Sequence, residues 1–409
     1  MRTLVIAGDY PWPENIGPRM RLAMVLRGLA ACGPTELFSV VSRLRTEFAP
    51  VEEGLDLHRV GRVGFDNLPR TGLGLLPTLV RPSMPLTMPW HDRDQVQRAL
   101  AEFVTGPYDL VWFFGVRPWV LAGEPGLAPT VLDLDDLEDQ KIAARLSMPS
   151  RRPPTAMARL RGAAADAVSR EEIRRWRRLH RRAASRVASV VVCSALDADR
   201  AASQGVARVE VIPNAYRLVG PPVGRASVGL PPTVLFQGLL RYPPNAEAAI
   251  TLADEVGPAL RRLVPDATIR LVGEHQAALA VLHDPPRVTV VGRVPDMTAE
   301  LARADVVVVP IRYGSGTRLK IIEAFAHRIP VVSTTLGAEG LGAEDGVHLL
   351  IGDTVASLAE ACTRVLQDGD LRRTLVERAH ALYLECLSSE VVEAQVARVA
   401  RAAVQGVGA

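Results

Sequence analysis

The sequence predicts an α/β protein with two domains, each an αβα sandwich around a parallel sheet. Short apolar strands alternate with helices twice along the chain, before and after a proline-rich break at Pro221-Pro222 and Pro231-Pro232. Val306–Val309 is a continuous apolar run, which is typical of a strand buried on both faces. The length of 409 residues also favours two domains.

The first half opens with a strand, a loop and a helix. Thr3–Ala7 is apolar, Asp9–Gly17 is interrupted by proline and glycine, and Arg19–Ala31 places apolar residues at helical spacing. Leu68–Pro89 is rich in proline and predicts either a connector or a flexible surface lobe. Further strands are predicted at Glu36–Val41, Leu55–Val60, Tyr108–Phe114, Thr130–Leu134, Val187–Cys193 and Val209–Ile212, with a helix at Asp92–Val104.

The same alternation resumes after the break. The predicted strands are Thr233–Phe236, Thr268–Val272, Val288–Val291, Val306–Val309 and Val331-Val332. The predicted helices are Asn245–Leu263, Arg318–His327, Val355–Gln367, Asp370–Cys386 and Ser389–Val404. Pro330 ends the second of these helices, because proline cannot continue the backbone hydrogen bonds.

The loop Gly314-Ser315-Gly316-Thr317 predicts an anion site at the start of a helix. Its glycines let backbone N–H groups approach a ligand, and a helix start offers unpaired N–H groups with a partial positive charge. Arg318 and Lys320 add two cations there, which is unfavourable unless an anion binds. Lys320 and Lys141 are the only lysines in the chain, although chance placement on a surface helix is the alternative. We interpret the loop as a diphosphate site.

Composition limits the remaining function classes. The net charge of +3 is too small to indicate nucleic acid binding by itself. Four scattered cysteines lack metal-ligand spacing and favour a reducing, cytoplasmic setting. Met1-Arg2-Thr3 leads directly into the first strand, so we expect no signal peptide, and no run is long enough to span a membrane.

Several stretches together resemble one enzyme family. GSGTRLKIIEAFAHRIPVVSTTLGAEGL is similar to the donor-binding segment of glycosyltransferase family 4, whose members are retaining sugar transferases of the GT-B fold. The other matching stretches are VIPNAY, FQGLLRYPPNAEAA and VGRVPDMTAELARADVVVVP. The resemblance covers most of the C-terminal half and is looser in the N-terminal half.

The resemblance implies an architecture and a reaction. Two Rossmann-like domains, residues 1–218 and 219–388, would face each other across a cleft, and the final helix, 389–409, would return to the first. The enzyme would transfer a sugar from a nucleoside diphosphate sugar to the hydroxyl of a small-molecule or lipid-linked acceptor. Configuration would be retained, and no metal or other cofactor is expected. The alternatives are a nucleotide-sugar epimerase and a nucleotide-binding protein without activity.

The resemblance also implies roles on the donor side. Glu323 matches the glutamate that contacts the ribose hydroxyls, whereas Ser315 stands where relatives have the glutamate that touches the donor sugar. Gly292-Arg293-Val294 resembles the stretch that holds the edge of the nucleobase. Relatives place Arg and Lys after the first strand of this domain, where this chain has Leu239 and Pro244 or Asn245. Arg318 and Lys320 are therefore expected to hold the diphosphate, helped by Arg241.

The N-terminal domain carries the expected acceptor side. Gly17 stands where the family has its loop glycine, although a plain turn would also need glycine. Asp133 and Asp135 lie around the end of a predicted strand, where open α/β sheets bind ligands, and one of them is expected to act in the cleft. Phe113-Phe114-Gly115 replaces the family's histidine, with Arg117 close by. The residue that activates the acceptor therefore stays unassigned.

The segment Arg151–Arg186 is densely basic and mostly helical by its pattern. One interpretation is a solvated helix in which Glu171 and Glu172 pair with following arginines. The other is a patch that meets anionic lipid or a polyanionic acceptor through Arg174, Arg175, Arg177 and Arg178.

Overall fold

The computed structural model describes residues 1–65, 84–88, 92–147, 156–224, 231–314, 316 and 318–406. The chain divides into two compact units. Unit 1 comprises Met1–Pro213 with Val392–Ala409, and unit 2 comprises Asn214–Val391. Most of the segment Leu68–Pro89, together with Ser315 and Thr317, lies outside the described residues.

The described part of unit 1 contains a seven-stranded parallel sheet in the order β3-β2-β1-β4-β5-β6-β7. The order reverses between β1 and β4, as in a doubly wound sheet whose right-handed crossovers place helices on both faces. The strands are β1 Thr3–Ala7, β2 Thr35–Ser42, β3 Arg59–Phe65, β4 Leu110–Phe114, β5 Thr130–Leu134, β6 Ser189–Val192 and β7 Val209–Val211.

The helices of unit 1 connect successive strands. They span Gly17–Ala30, Arg93–Phe103, Val116–Leu121, Glu138–Leu146, Ala156–Ala184 and Ala195–Ser203. The last helix of the chain, Ser389–Gln405, belongs to unit 1 from Val392 onward. Its backbone comes so close to Gly28 that a Cβ there would lie 2.7 Å from the Glu393 carbonyl oxygen. Glycine at this position therefore permits close helix packing.

The third strand differs from its prediction. The sequence pattern favoured Leu55–Val60, but the strand is Arg59–Phe65. Only Val63 and Phe65 of this strand are buried, because it lies at the edge of the sheet and pairs with β2 alone. Its arginines and glycines interrupt the apolar run on which the prediction relied. Backbone pairing with β2, which runs from Glu36–Arg59 to Ser42–Phe65, decides the strand instead.

The described part of unit 2 contains a six-stranded parallel sheet in the order β10-β9-β8-β11-β12-β13. The order reverses between β8 and β11. The strands are β8 Thr233–Gln237, β9 Thr268–Val272, β10 Val288–Gly292, β11 Val306–Val309, β12 Val331–Ser333 and β13 Leu350–Ile351. The helices span Pro243–Thr251, Gly257–Arg261, Thr298–Leu301, Leu319–Ala326, Val355–Gln367 and Gly369–Leu382, with π-helical turns at Leu252–Val256 and Tyr383–Leu387 and a 3₁₀ turn at Ala277–Leu282.

Each unit has its own apolar core. In unit 2 the strands β8 and β11 are completely buried, as their continuous apolar sequence predicts. In unit 1 the central strands β1 and β4 are equally buried. The two parallel sheets confirm the predicted fold class. Among the described residues, no helix has both the length and the apolar character needed to cross a membrane.

Candidate functional site

The predicted anion site lies in unit 2 where the strand order reverses. β8 and β11 are neighbouring strands. The backbone leaves both of them at the carboxyl edge of the sheet, where open α/β sheets bind ligands. Gly238 follows β8 with φ +147°, a region that favours glycine. A Cβ on Gly238 would lie 2.9 Å from Lys320 Nζ. The absence of a side chain therefore makes room for the lysine.

Lys320 occupies the first turn of the helix Leu319–Ala326. Its ammonium donates a hydrogen bond to Asn245 Oδ1 at 2.9 Å and lies 4.2 Å from the centre of the Phe236 ring. The Asn245 amide is fixed because its nitrogen donates to the Leu239 carbonyl at 3.0 Å. Burial, and then the nearby Arg318 charge, lower the pKa of Lys320 to about 7. A bound anion would restore the charged form.

Glu323 lies on the same helix as Lys320. Burial raises the pKa of Glu323 to about 7, although hydrogen bonds from Gln237 and Tyr216 oppose this shift. Gln237 Nε2 is 3.4 Å from Glu323 Oε2 and 3.5 Å from the Lys320 carbonyl oxygen. A cation and a carboxylate on one helix, both with pKa values strongly displaced by burial, are characteristic of a functional site.

The glycine loop ends at Arg318, which is the residue before the helix. Gly314 has φ +110°, and a Cβ there would lie 3.4 Å from Arg318 Nη2 and from Pro244. Arg318 Nη1 donates to the Gly316 carbonyl oxygen at 2.8 Å, so the guanidinium folds back over the loop. The structure thus brings Gly314, Gly316, Arg318 and Lys320 together.

Three other predicted donor residues lie nearer the surface of unit 2. Arg241 is exposed and forms an ion pair with Glu274 at 3.2 Å. Arg293 is exposed just after β10, and Val294 packs partly against the core. The donor roles of these three residues stay predictions.

On the acceptor side, Asp133 is completely buried within β5. Its Oδ1 accepts a hydrogen bond from Arg21 Nη2 at 2.9 Å, and Arg21 also donates to the Ile212 carbonyl at 2.9 Å. Both side chains of this ion pair are fully inaccessible to solvent. Asp133 therefore stabilises unit 1 by pairing with Arg21 and presents no oxygen to a ligand in this conformation.

Asp135, just after β5, is better placed. Its side chain is 20% exposed, and its carboxylate is 3.7 Å from Arg21 Nε. Burial, with the neighbouring carboxylates of Asp136 and Asp133, raises the pKa of Asp135 to about 6 despite the Arg21 charge. Of the two aspartates proposed from the sequence, only Asp135 reaches the carboxyl edge of the sheet with accessible surface.

The other acceptor-side residues lie at neighbouring strand ends. Gly17 is the first residue of the helix Gly17–Ala30, which follows β1. Arg117 lies in the helix after β4, 3.3 Å from Glu138 Oε1 and over the Trp176 ring. Their positions at the carboxyl edge agree with where the sequence placed them, and their roles stay predictions.

The basic helix Ala156–Ala184 uses part of its charge within unit 1. Arg175 is buried, pairs with Glu171 at 3.0 Å and donates to the Met84 carbonyl at 3.1 Å. Arg177 donates to the buried Asp139 at 3.0 Å. Two of the four arginines of the predicted patch therefore help to hold unit 1 together, whereas Arg174 is 66% exposed.

Sequence reasoning missed four residues that contact Lys320 or Glu323 or support those contacts. They are Phe236, Gln237, Tyr216 and His327. Gln237 is a polar residue at the end of an otherwise apolar buried strand, which was a usable signal. Tyr216 and His327 meet only in the folded chain, since they are 111 residues apart in sequence.

Comparisons with known proteins address the same region. Residues 231–368 match the family described as "Glycosyl transferases group 1", which confirms the predicted resemblance at the level of this group. An exopolysaccharide phosphotransferase of Streptomyces coelicolor is 39% identical over 103 residues. That alignment covers 24% of this chain and 11% of the relative, so the chain matches only about a tenth of that protein.

Solved structures resemble the whole chain. The chain superposes on HepE of Anabaena, determined in complex with UDP and glucose, with a TM-score of 0.61 and 18% identity, covering 97% of this chain and 98% of HepE. Sucrose-phosphate synthase of Thermosynechococcus elongatus gives a TM-score of 0.68 and 16% identity over 99% and 100% of the two chains. These similarities, with the two parallel sheets, show the GT-B fold.

Proposed function

We propose that the chain is a glycosyltransferase that moves a sugar from a nucleoside diphosphate sugar to an acceptor hydroxyl. Unit 2 binds the donor, and unit 1 with the returning helix provides the acceptor side. The domains of the proposed enzyme are residues 1–218 with 389–409, and 219–388. The acceptor is a small molecule or a lipid-linked carbohydrate.

One observation carries the proposal. Lys320 and Glu323 lie on one helix at the strand-order reversal of unit 2, and burial displaces the pKa values of both to about 7. Their hydrogen-bond partners, Asn245 and Gln237, are neutral amides. Neutral partners leave each charge available for a ligand with one anionic and one hydroxyl-bearing part, and a nucleoside diphosphate has both.

The chemistry follows from the charges. As the bond between sugar and diphosphate breaks, negative charge grows on the leaving phosphate. Lys320, Arg318 and the backbone N–H groups of the glycine loop stabilise this charge more than that of the ground state, which lowers the barrier. The acceptor attacks from the face that the diphosphate leaves, so configuration is retained. Because protein cations neutralise the diphosphate, we expect activity to survive a metal chelator.

Two alternatives predict different products. A nucleotide-binding protein without activity would bind the donor and leave it intact. An epimerase would change the sugar without transferring it to an acceptor. A hydrolysis assay on donor sugars separates enzyme from binder, and analysis of the product separates transfer from epimerisation.

The test begins with binding. Thermal-shift screening against UDP, GDP, dTDP, ADP and their sugar conjugates identifies the donor, because a ligand that binds only the folded state raises Tm. Glu323→Gln should then weaken binding by about ten- to a hundredfold, for both the free nucleotide and the sugar conjugate, because a charge-assisted contact is worth roughly 1.5–3 kcal/mol. Isothermal titration measures both affinities.

The matched control for this substitution is Glu377→Gln. Glu377 is exposed on the helix Gly369–Leu382, far along the chain from the glycine loop. The Glu377→Gln variant should bind nucleotide with the affinity of the wild type. If Glu323→Gln also binds as wild type does, the donor site has been assigned to the wrong residues.

A further inference from the structure

A second cavity of unit 2 lies at the amino edge of its sheet, opposite the carboxyl edge that carries Lys320. It is found where the chain enters β11 and β12, and its volume is about 300 Å³, which suits a small molecule. Its lining combines three arginines and one carboxylate with apolar side chains. The arginines are Arg328, Arg372 and Arg373, the carboxylate is Asp305, and the apolar side chains include Ile329 and Pro330.

Arg328 occupies a backbone position that favours glycine. It lies just beyond the helix Leu319–Ala326, and its φ is +59°. Its N–H donates to the Phe325 carbonyl at 3.2 Å, and the Ile329 N–H donates to the Ala324 carbonyl at 2.9 Å. These two hydrogen bonds define a Schellman motif, in which glycine is the usual residue because a side chain is strained at positive φ. An arginine in this position indicates that its side chain serves a purpose that offsets the strain.

Two of the three arginines are not neutralised within the protein. Among the described residues, neither Arg328 nor Arg372 forms an ion pair or a side-chain hydrogen bond. Arg373, by contrast, is largely exposed and pairs with Asp370 at 2.7 Å, so its charge is already used. Asp305 is buried and accepts a hydrogen bond from the first N–H of β8 at 2.8 Å. The cavity therefore offers two guanidinium groups to a ligand.

These side chains, and not the N–H groups of a helix, are available to that ligand. The helix Gly369–Leu382 begins at the cavity, but the Asp368 carboxylate already accepts from the N–H groups of Asp370 and Leu371, at 3.1 and 2.9 Å. Two guanidinium groups match the two charges of a phosphate monoester, and arginine binds phosphate oxygens through paired N–H groups. The apolar part of the lining suits a compact organic group attached to the phosphate.

We propose that this cavity is a binding site for a phosphate monoester with a compact organic group, held by Arg328 and Arg372. The site shares no residue with the donor site of the proposed function and does not depend on that function. Two sources of ligand share this chemistry, a soluble metabolite and the headgroup of a lipid, and the experiment distinguishes them.

The experiment is isothermal titration of the full chain at about pH 8, where a phosphate monoester carries nearly two negative charges. The probes are phenyl phosphate, inorganic phosphate and phenol. Phenyl phosphate should bind with the highest affinity, because it alone combines the charge with an apolar group. Arg328→Gly and Arg372→Gln should each weaken its binding by about tenfold or more.

The matched control is Arg208→Gly. Arg208 also has a left-handed φ, of +57°, but it belongs to unit 1 and does not line this cavity. Glycine relieves the strain in both variants, so both should fold and keep a Tm at least as high as that of the wild type. Arg208→Gly should also bind phenyl phosphate with the affinity of the wild type.

A sedimentation experiment identifies the source of the phosphate. Wild type and Arg328→Gly are sedimented with phosphatidylcholine vesicles, with and without phosphatidic acid, whose headgroup is a phosphate monoester. Weaker binding of Arg328→Gly to phosphatidic acid supports the site and assigns it to a lipid headgroup. Equal sedimentation of the two proteins, together with the loss of phenyl phosphate binding in Arg328→Gly, supports the site and assigns it to a soluble ligand.

Three results would overturn the proposal and leave the proposed function intact. The first is that wild type does not bind phenyl phosphate. The second is that Arg328→Gly and Arg372→Gln bind it with the affinity of the wild type. The third is that Lys320→Ala abolishes the binding while Arg328→Gly retains it, because the probe then occupies the donor site.

Discussion

The carboxyl edges of the two sheets hold charged side chains in opposite ways. In unit 1, Arg21 and Asp133 are both inaccessible and bind each other at 2.9 Å. In unit 2, the hydrogen bonds of Lys320 and Glu323 go to neutral amides of Asn245 and Gln237. The first pair is complete as it stands, whereas the second pair of charges is incomplete until a ligand supplies the missing partners.

We interpret the difference as one between a structural ion pair in unit 1 and the charges of a candidate binding site in unit 2. A buried ion pair is destabilising to break, because the remaining charge is left without compensation. Partly buried charges with neutral partners lower the stability of the free protein, and proteins retain such residues where function requires them. Removing a charge should therefore destabilise unit 1, but it should stabilise ligand-free unit 2.

The largest expected effect is in unit 1. Asp133→Asn removes the nearer counter-charge of the buried Arg21 and leaves it with Asp135, 3.7 Å away, so it should destabilise unit 1 by up to about 3–5 kcal/mol. All five tryptophans lie between residues 12 and 176, within unit 1, so the tryptophan fluorescence during urea unfolding reports this unit alone. The double variant Arg21→Met with Asp133→Leu should recover part of the loss. An unchanged midpoint for Asp133→Asn would contradict the structural role of this pair.

The next effect concerns turnover. Lys320→Ala and Arg318→Ala should each lower kcat by about 10²–10³-fold while weakening donor binding much less, because their charges act where the leaving phosphate gains charge. Steady-state kinetics and isothermal titration on the same preparations measure the two quantities. Arg373→Ala is the control. Arg373 is exposed and pairs with Asp370 on its own helix, Gly369–Leu382, which is not the helix of Lys320. Weaker donor binding with an unchanged kcat would instead show that these cations bind the ground state and the transition state equally, which contradicts this prediction.

The third prediction is a pH optimum of nucleotide binding near 7. In the proposed function Lys320 holds the diphosphate in its protonated form, and its pKa of about 7 then predicts that the affinity falls above pH 7. In the proposed function Glu323 holds the ribose in its ionised form, and its pKa of about 7 then predicts that the affinity falls below pH 7. On the acid limb below the optimum and on the alkaline limb above it, the affinity for nucleotide should change by up to about tenfold per pH unit. Isothermal titration from pH 5.5 to about 9 measures the profile.

Variants assign the limbs of that profile. Lys320→Ala should lose the alkaline limb, and Glu323→Gln should lose most of the acid limb, leaving only the titration of the phosphate itself near pH ~6. A flat wild-type profile would show that neither group changes its charge when nucleotide binds.

The smallest expected effect is a gain in stability, in contrast to the loss expected for Asp133→Asn. Folding raises the pKa of Glu323 to about 7, so the folded state holds the proton more tightly than the unfolded chain. The stability that this proton provides is present below the unfolded pKa and is lost as pH rises through 7. Glu323→Gln avoids that loss and should raise the Tm of the ligand-free protein at pH 8 by roughly 2–4 °C per kcal/mol recovered. The gain should vanish near pH 4.5, the ordinary value for a glutamate.

The sequence by itself determined the architecture and predicted the position of the candidate site. Val306–Val309 is apolar at every position, which is typical of a strand buried on both faces, and the structure has this strand with the predicted bounds. The glycine loop followed by Arg318 and Lys320 indicated an anion site, because local backbone chemistry already sets the charge and the N–H groups there. β3 was misplaced, because its arginines and glycines carry no burial pattern and pairing with β2 defines it.

Only the tertiary structure decided which charges are already paired. Asp133 and Asp135 are equivalent in sequence, but Arg21, 112 residues earlier, takes the first into a buried ion pair and leaves the second partly accessible. The sequence predicted Lys320 at an anion site, with chance placement on a surface helix as the alternative, and its position against Phe236 and Asn245 follows from strand β8 lying beside β11. Tyr216 and His327 have no local pattern at all. The physical reason is the same in each case: pKa values and hydrogen-bond partners depend on distances in space, and these exist only once the sheets have formed.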